Sequence, residues 1–325
     1  MISAFSLSAW VTIARLVGDH LWQSTLFAAI AGLLTLVFRN NRAQVRNGLW
    51  LAASMKFLIP FAALVAFGNH FGWRQAAPLA QNPAPFVVDM DTVSQPFSRL
   101  AAGTPPALAS HSLASAVPIL LFAIWLCGCA AILLTWWISW RRIAVAIREA
   151  SPVRQGAELN ALRRLEAVAG ITRPVALVLS NASLEPGVFG IVRPVLLWPR
   201  SIAGRLTSAH VEVILAHELS HVRRRDNLAA AIHMLVETIF WFHPLVWWLG
   251  ARMVDERERA CDEDVLRLGG EPQVYAESVL KVCEFYLESP LACIAGVTGS
   301  NLKKRMERIM SNRVGGTLNG WRNSS

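Results

Sequence analysis

The chain has 325 residues, 54% of them hydrophobic and 16% charged, and a formal net charge of +9. A soluble domain carries about 25% charged residues, so this composition argues against an ordinary soluble protein and for one that lives in a bilayer. The basic excess flanks apolar runs, as the positive-inside rule describes, which argues against direct nucleic-acid binding as its cause. Five scattered cysteines, Cys127, Cys129, Cys261, Cys283 and Cys293, form neither a disulfide framework nor a paired C-x-x-C zinc site.

Three apolar runs are long enough to span a bilayer as helix, which takes about 20 residues: Leu21 to Phe38, Leu49 to Gly68 and Val117 to Trp140. No basic residue precedes Arg15 and no small-residue cleavage site follows the first run, so it reads as an anchor and not as a cleaved signal. The connection 39–48 holds Arg39, Arg42 and Arg46 and no acid, which places it in the cytosol. Segment 69–116 balances Arg74 and Arg99 against Asp89 and Asp91 and is rich in proline, as an extended external loop is. Trp136, Trp137 and Trp140 then form an interfacial belt ahead of Arg141 and Arg142. The N-terminus is therefore expected outside, and the chain from 141 onward inside, in contact with membrane lipid. Lys56 lies within the second span and reads as snorkelling or as a paired charge.

Beyond 141 the pattern is α+β. Leu159, Leu162 and Leu165 form one helical stripe closed by Gly170. "PVALVLS" reads as a strand. "PGVFGIVRPVLLWP" gives two short strand-like pieces interrupted at Gly190 and Pro194, a pattern of an edge strand or bulge in a small sheet. Thr207 or Ser208 can cap the helix that follows.

That helix carries "LAHELSHVRRRD". Residues four apart share a helical face, so the imidazoles of His217 and His221 can hold one zinc ion, with Glu218 beside it as the base. A catalytic zinc takes a third protein ligand and keeps one open position. Downstream, "DERERACDEDVL" sets Glu258 and Asp262 four apart: Glu258 can be the third ligand and Asp262 the acceptor that holds a histidine ring by its other N–H. Glu256 competes for the ligand role. Asp226 is an orienting partner or an ion-pair partner of the arginines, and His210 reads as a residue of the helix start. The oxyanion could be met by Tyr275 or His243.

Between the two half-sites, Leu228 to Ala251 holds Glu237 as its only acid or base and is long enough to cross a membrane. One crossing would leave His217 and Glu258 about 30 Å apart. Pro244 disfavours helix at His243 and lacks the N–H that a continuous helix uses. The expectation is a hairpin over 228–258, bent near Trp241 to Pro244, that folds back; His233 and His243 on its arms read as buried or interfacial.

The early apolar runs, "EPGVFGIVRPVLLWP", "LAHELSHVRRRDN", "FHPLVWW", "ERERACDEDVL" and the late "NLKKRMERIM", taken together and in this order, resemble the BlaR/MecR membrane metallopeptidase family. The resemblance implies a mainly α integral membrane protein with a cytosol-facing, gluzincin-like α+β zincin domain. It also implies one catalytic Zn2+ on His217, His221 and Glu258, with Glu218 as base. Asp262 and Asp226 would stand behind the ligands, and the strand at Val188, Phe189, Gly190 and Ile191 would hold the substrate backbone. The implied substrate is a cytosolic winged-helix repressor of the penicillinase-repressor type, cleaved at the inner membrane in answer to an external signal. The division expected is two transmembrane helices in 1–68, the external loop 69–116, a third span 117–140, the peptidase domain 141–311 and a tail 312–325. The external penicillin-binding sensor domain of such proteins, with its S-x-x-K nucleophile, is not expected in this chain. A non-catalytic membrane receptor or scaffold, and a prenyl-protein or quality-control protease, are the competing readings; homo-oligomerisation is compatible with each.

Overall fold

A computed structural model describes residues 2–60, 96, 113–181, 185–287 and 299–311. The external loop expected at 69–116 and the tail at 312–325 therefore lie almost wholly outside the described residues. The fold is mainly helical with one small mixed sheet, and the chain divides into two compact units. The first comprises Met1–Val37, Leu49–Leu134 and His233–Gly250; the second comprises Phe38–Gly48, Thr135–Ile232 and Ala251–Ser325.

The first unit is built on apolar helix. Helix α1 (Ile2–Val37) and α3 (Leu113–Glu149) are long and apolar enough to cross a membrane, over Trp10–Val37 and Val117–Glu149. Leu33, Leu36, Leu120 and Leu121 are more than 60% exposed, which water does not favour and lipid does. Helix α2 (Ala43–Leu58) is shorter than the second span expected from sequence, whose end lies outside the described residues. Lys56 is buried and its ammonium donates to the Ile59 carbonyl at 3.3 Å.

The apolar stretch after the H-E-x-x-H string is not one helix. Helix α7 (Asp226–Ile239) stops, Phe240 to His243 turn, and Pro244 opens α8 (Pro244–Arg267). Proline suits a first helical position because the N–H it lacks has no partner there. The two arms approach closely at Gly250, where a Cβ would come within 2.5 Å of His233 Nε2 and 2.8 Å of Glu237 Oε1. Any larger residue there would have to push both of these side chains aside.

The second unit holds the sheet and the H-E-x-x-H helix. Strands β1 (Ser151–Pro152), β2 (Ala176–Ser180), β3 (Gly187–Phe189) and β4 (Val195–Pro199) lie in the order β1-β2-β4-β3. The central β2–β4 pair is parallel and both outer pairs are antiparallel. Strand β3 is thus an edge, as the interruption at Gly190 implies, whereas the piece after Pro194 is central. Of the four residues expected in a substrate strand, Val188 and Phe189 are in β3. Gly190 ends it with φ +94°, and Ile191 lies in the following bend.

Helix α4 (Ala157–Ala169) presents the expected stripe, with Leu162 fully buried and Leu159 and Leu165 partly so, and Gly170 closes it in the left-handed region at φ +70°. A four-residue turn of helix, α5 (Arg200–Ala203), leads to α6 (Ser208–Arg224). Val211, Ile214, Leu215 and Leu219 of α6 pack with Leu162, Leu177, Leu196 and Trp198 into the main core. On another side, Val213 and Ala216 meet α9 (Pro272–Leu287) and α10 (Gly299–Met310) through Tyr275, Ala276, Val279 and Ile309. The third face of α6 carries the candidate ligands.

Candidate metal centre

The site begins with the way α6 is anchored. The Thr207 hydroxyl accepts from the His210 N–H at 3.3 Å, and the His210 ring accepts from the Thr207 N–H at 3.3 Å. This reciprocal cap fixes the register of the helix and places His210 at its start, away from the ligands. At the other end Arg225 adopts φ +56°, a left-handed conformation that stops α6 and lets Asp226 open α7.

One turn of helix brings His217 and His221 onto one face with ring centroids 5.1 Å apart and planes nearly perpendicular. Each ring is held by its Nδ1. His221 Nδ1 donates to the Asp226 carboxylate at 2.7 Å, and Arg224 donates to the same carboxylate at 2.6 Å and to the Arg257 carbonyl at 2.9 Å. His217 Nδ1 donates to the Tyr275 hydroxyl at 2.8 Å, which in turn donates to Asp262 at 2.6 Å. Because the tyrosine proton is given to a carboxylate, its oxygen is left to accept, and the proton on His217 must sit on Nδ1. In its neutral form each ring therefore turns the lone pair of its Nε2 toward the site.

The expectation for Asp262 needs one amendment. Its carboxylate lies 3.7 Å from His217 Nδ1, too far for a hydrogen bond, and reaches the ring through Tyr275. That contact also removes Tyr275 as an oxyanion donor, since its hydroxyl is spent behind the ring. His243 belongs to the other unit, where its Nε2 lies 3.4 Å from the Thr25 hydroxyl, and His233 pairs there with Ser54 at 2.8 Å.

The two Nε2 atoms converge on Glu258, at 3.4 Å from His217 and 4.0 Å from His221. Two donor atoms about 2.1 Å from one tetrahedral zinc lie roughly 3.4 Å apart, so these three residues fit such an ion. Glu256 does not compete: it faces Arg46 at 2.8 Å and Arg259 at 2.8 Å. A different rival is Cys261, whose sulfur falls within 4.8 Å of both histidine donors. It lies 3.3 Å from His221 Nδ1 and 3.5 Å from Nε2. A sulfur nearly equidistant from both ring nitrogens is roughly 4 Å or more from an ion on the Nε2 axis, against 2.3 Å for a zinc–sulfur bond. The spacing therefore favours the carboxylate.

Glu218 is buried beside this group. Burial raises its pKa, and the Glu258 charge adds to the rise, while the two imidazoles oppose it. Burial would raise Glu258 as well, but contact with His217 at 3.4 Å and the positive charge that the two imidazoles carry when protonated hold it well below the usual carboxylate range. For His221 burial acts downward and is outweighed by Asp226 and the field of Glu218, so its pKa stands well above 6.5.

A cleft of about 420 Å3 opens on these residues, walled by β3, α6, α8, α9 and α10. On the β3 wall the Asn227 carboxamide donates to the Val188 carbonyl at 3.0 Å and the Gly190 carbonyl at 2.9 Å, so those carbonyls point away from β4. On the α10 wall Arg305 donates to Asp262 at 2.8 Å and to the Tyr275 hydroxyl at 3.3 Å. Asn227 and Arg305 are not legible as site residues from spacing, since each acts through an element distant in sequence. Two S-x-x-K strings do occur, contrary to expectation: Ser278 to Lys281 in α9 and Ser300 to Lys303 in α10. Ser278 is fully buried with its hydroxyl on the Tyr275 carbonyl at 2.7 Å, and Lys281 pairs with Glu277 at 2.9 Å; neither group is placed for acyl transfer.

Comparison with known proteins bears on the whole arrangement. The chain is 27% identical over 192 residues to the Regulatory protein BlaR1 of Bacillus licheniformis, a match covering 58% of this chain and 32% of that protein. It is 29% identical over 131 residues to the Methicillin resistance mecR1 protein of Staphylococcus aureus, covering 38% of this chain and 22% of the relative, and equally to that of Staphylococcus epidermidis. The chain thus spans about a third or less of the length of these relatives. The family model described as BlaR1 peptidase M56 matches residues 19–309, which takes in both half-sites and every wall of the cleft, and the chain belongs to that family of metallopeptidases.

Proposed function

We propose that this chain is an integral-membrane zinc endopeptidase that relays a signal by cleaving a cytosolic winged-helix repressor. The observation that carries the reading is the convergence of two Nε2 atoms, each fixed by a hydrogen bond behind its ring, on the carboxylate of Glu258. His217, His221 and Glu258 would hold one zinc ion, with Asp226 and the Tyr275–Asp262 pair orienting the rings. A zinc ion bound there supplies a Lewis acid that polarises the scissile carbonyl and acidifies water. Glu218, with its pKa raised by burial, is suited to accept a proton from the attacking water and to return it to the leaving amine nitrogen. The substrate backbone would lie along the open edge of β3, where the Val188 N–H remains as a donor and Asn227 holds the outward carbonyls.

The basic loop 38–48 belongs to the same compact unit as the site. Arg46 pairs with Glu256 at 2.8 Å, and the Ala43 N–H donates to Glu263 at 3.2 Å, so loop and site share one side of any membrane. The positive-inside rule assigns that side to the cytosol, with α1 entering from outside. The Glu218→Gln variant tests the activity: membranes bearing it should bind zinc yet leave a winged-helix repressor of the penicillinase-repressor type intact, while wild-type membranes cut it. Equal cleavage by both would overturn the reading. A reporter fused after Ser325 tests the orientation, and its exposure outside would overturn that.

A further inference from the structure

We propose that Arg308 forms a subsite in the cleft that selects an acidic side chain of the substrate, one or a few residues from the bond to be cut. The inference rests on the peptidase reading above and adds the substrate class to it. Four arginines crowd this side of the site, and three of them face a carboxylate. Arg305 donates to Asp262 at 2.8 Å, Arg257 to Glu258 at 3.1 Å and Arg259 to Glu256 at 2.8 Å. Arg308 also lines the cleft, yet among the described residues its guanidinium donates to the Lys304 carbonyl of its own helix, at 3.1 Å, and to no carboxylate.

The nearest acids cannot serve it. Asp262 is engaged by Arg305 and Tyr275, and Glu256 by Arg259 and Arg46. Partial burial first, and then the charges of Arg259 and Arg305, disfavour a cation at this place and outweigh the opposing fields of Asp262 and Glu256. A partly desolvated guanidinium with free N–H donors is compensated best by a carboxylate, which it meets in a two-pronged geometry. Position supports the assignment too. Arg308 stands one helical turn beyond Arg305 on α10, and Arg305 reaches the Tyr275 hydroxyl that holds His217. Arg308 also lines the same cleft as His217, His221 and Glu258, so a carboxylate on it would lie within that cleft and not on a remote surface.

A peptide series tests this. An uncharged parent peptide cut by the zinc-loaded, full-length protein is varied by walking one Glu, Gln or Lys through the positions on each side of the cleaved bond. The wild type is expected to favour Glu over Gln at one position by roughly ten- to hundredfold in kcat/KM, and less so at high salt. Arg308→Lys should keep part of that ratio, Arg308→Gln should abolish it, and Arg308→Glu should turn it toward Lys. Each variant's own rate on the Gln peptide is the reference, so a general loss of fold does not imitate a changed ratio. A matched pair with a free or an amidated C-terminus separates sources: dependence on the terminal carboxylate, with no effect of internal Glu, would refute a side-chain subsite. Cleavage by the wild type without charge preference, or a preference that survives in Arg308→Gln, overturns the subsite and leaves the peptidase standing. Cleavage of no peptide at all, by a protein shown to hold zinc, overturns both.

Discussion

Replacing Tyr275 by Phe separates two roles that this residue could have in a zinc peptidase. The ring is 1% exposed, so phenylalanine fills the same space and the change is confined to one hydroxyl. That hydroxyl accepts from His217 Nδ1 at 2.8 Å and donates to Asp262 at 2.6 Å. Its loss leaves the Nδ1–H of His217 buried without an acceptor, because the Asp262 oxygen stays 3.7 Å away. An orphaned buried donor costs about 1–3 kcal/mol. Asp262 keeps Arg305, so the cost falls on the ring. A histidine freed from its orienting partner loses metal affinity by about ten- to hundredfold. The expected result is a weaker zinc affinity by that factor in a chelator competition, with turnover at saturating zinc reduced by much less. An oxyanion donor behaves oppositely: removing one lowers kcat by about a hundred- to a thousandfold and leaves metal affinity alone. That second pattern would refute the placement of Tyr275 behind His217.

Cys261→Ser should change zinc affinity less than Tyr275→Phe does, while Glu258→Gln should change it more; the reverse order, read in the same chelator competition, would make the thiolate the third ligand. Zinc affinity should also climb with pH to a value above 6.5, because His221 must lose a proton to bind and its pKa is raised in the metal-free protein. By the same sign, the stability that imidazolium gives the metal-free fold is complete below pH 6.5 and is lost as pH rises through the raised value; an affinity flat from pH 6.5 to 8.5 would contradict both. Arg46→Met should destabilise the second unit by about 1.5–3 kcal/mol, since buried Glu256 loses one charged hydrogen-bond partner and keeps Arg259, and adding Glu256→Met should recover part of that in a thermal melt.

Much of this was legible in the sequence because local rules decide it. The leucine stripe closed by Gly170, the cap at Thr207 and the turn at Pro244 each follow from a few adjacent residues, and each appears where those residues set it. The spans were less so: composition marks a run as apolar, but whether it is one helix or two depends on where backbone N–H groups are lost. Pro244 shows that loss in the stretch after His221. Strand order was legible only at the β3 edge, because the central parallel pairing of β2 with β4 is a matter of which strand the chain returns to, and pieces of five residues carry no mark of it.

The site divides along the same line. His217, Glu218 and His221 lie on one turn, so spacing alone sets them together. Glu258 and Asp262 were brought to them by a geometric demand, that two half-sites some 40 residues apart share one ion, and not by any local signal. What spacing could not supply is the set of contacts made between elements. It proposed that Asp262 holds a histidine directly, whereas a tyrosine from α9 stands between them. It gave no partner to the arginines of "NLKKRMERIM", whereas Arg305 reaches across from α10 to Asp262. Charge runs read as bland when only neighbours along the chain are counted. Once every acid is matched to its arginine across the fold, the remainder becomes informative, and that matching is what distinguishes Arg308 from the arginines around it.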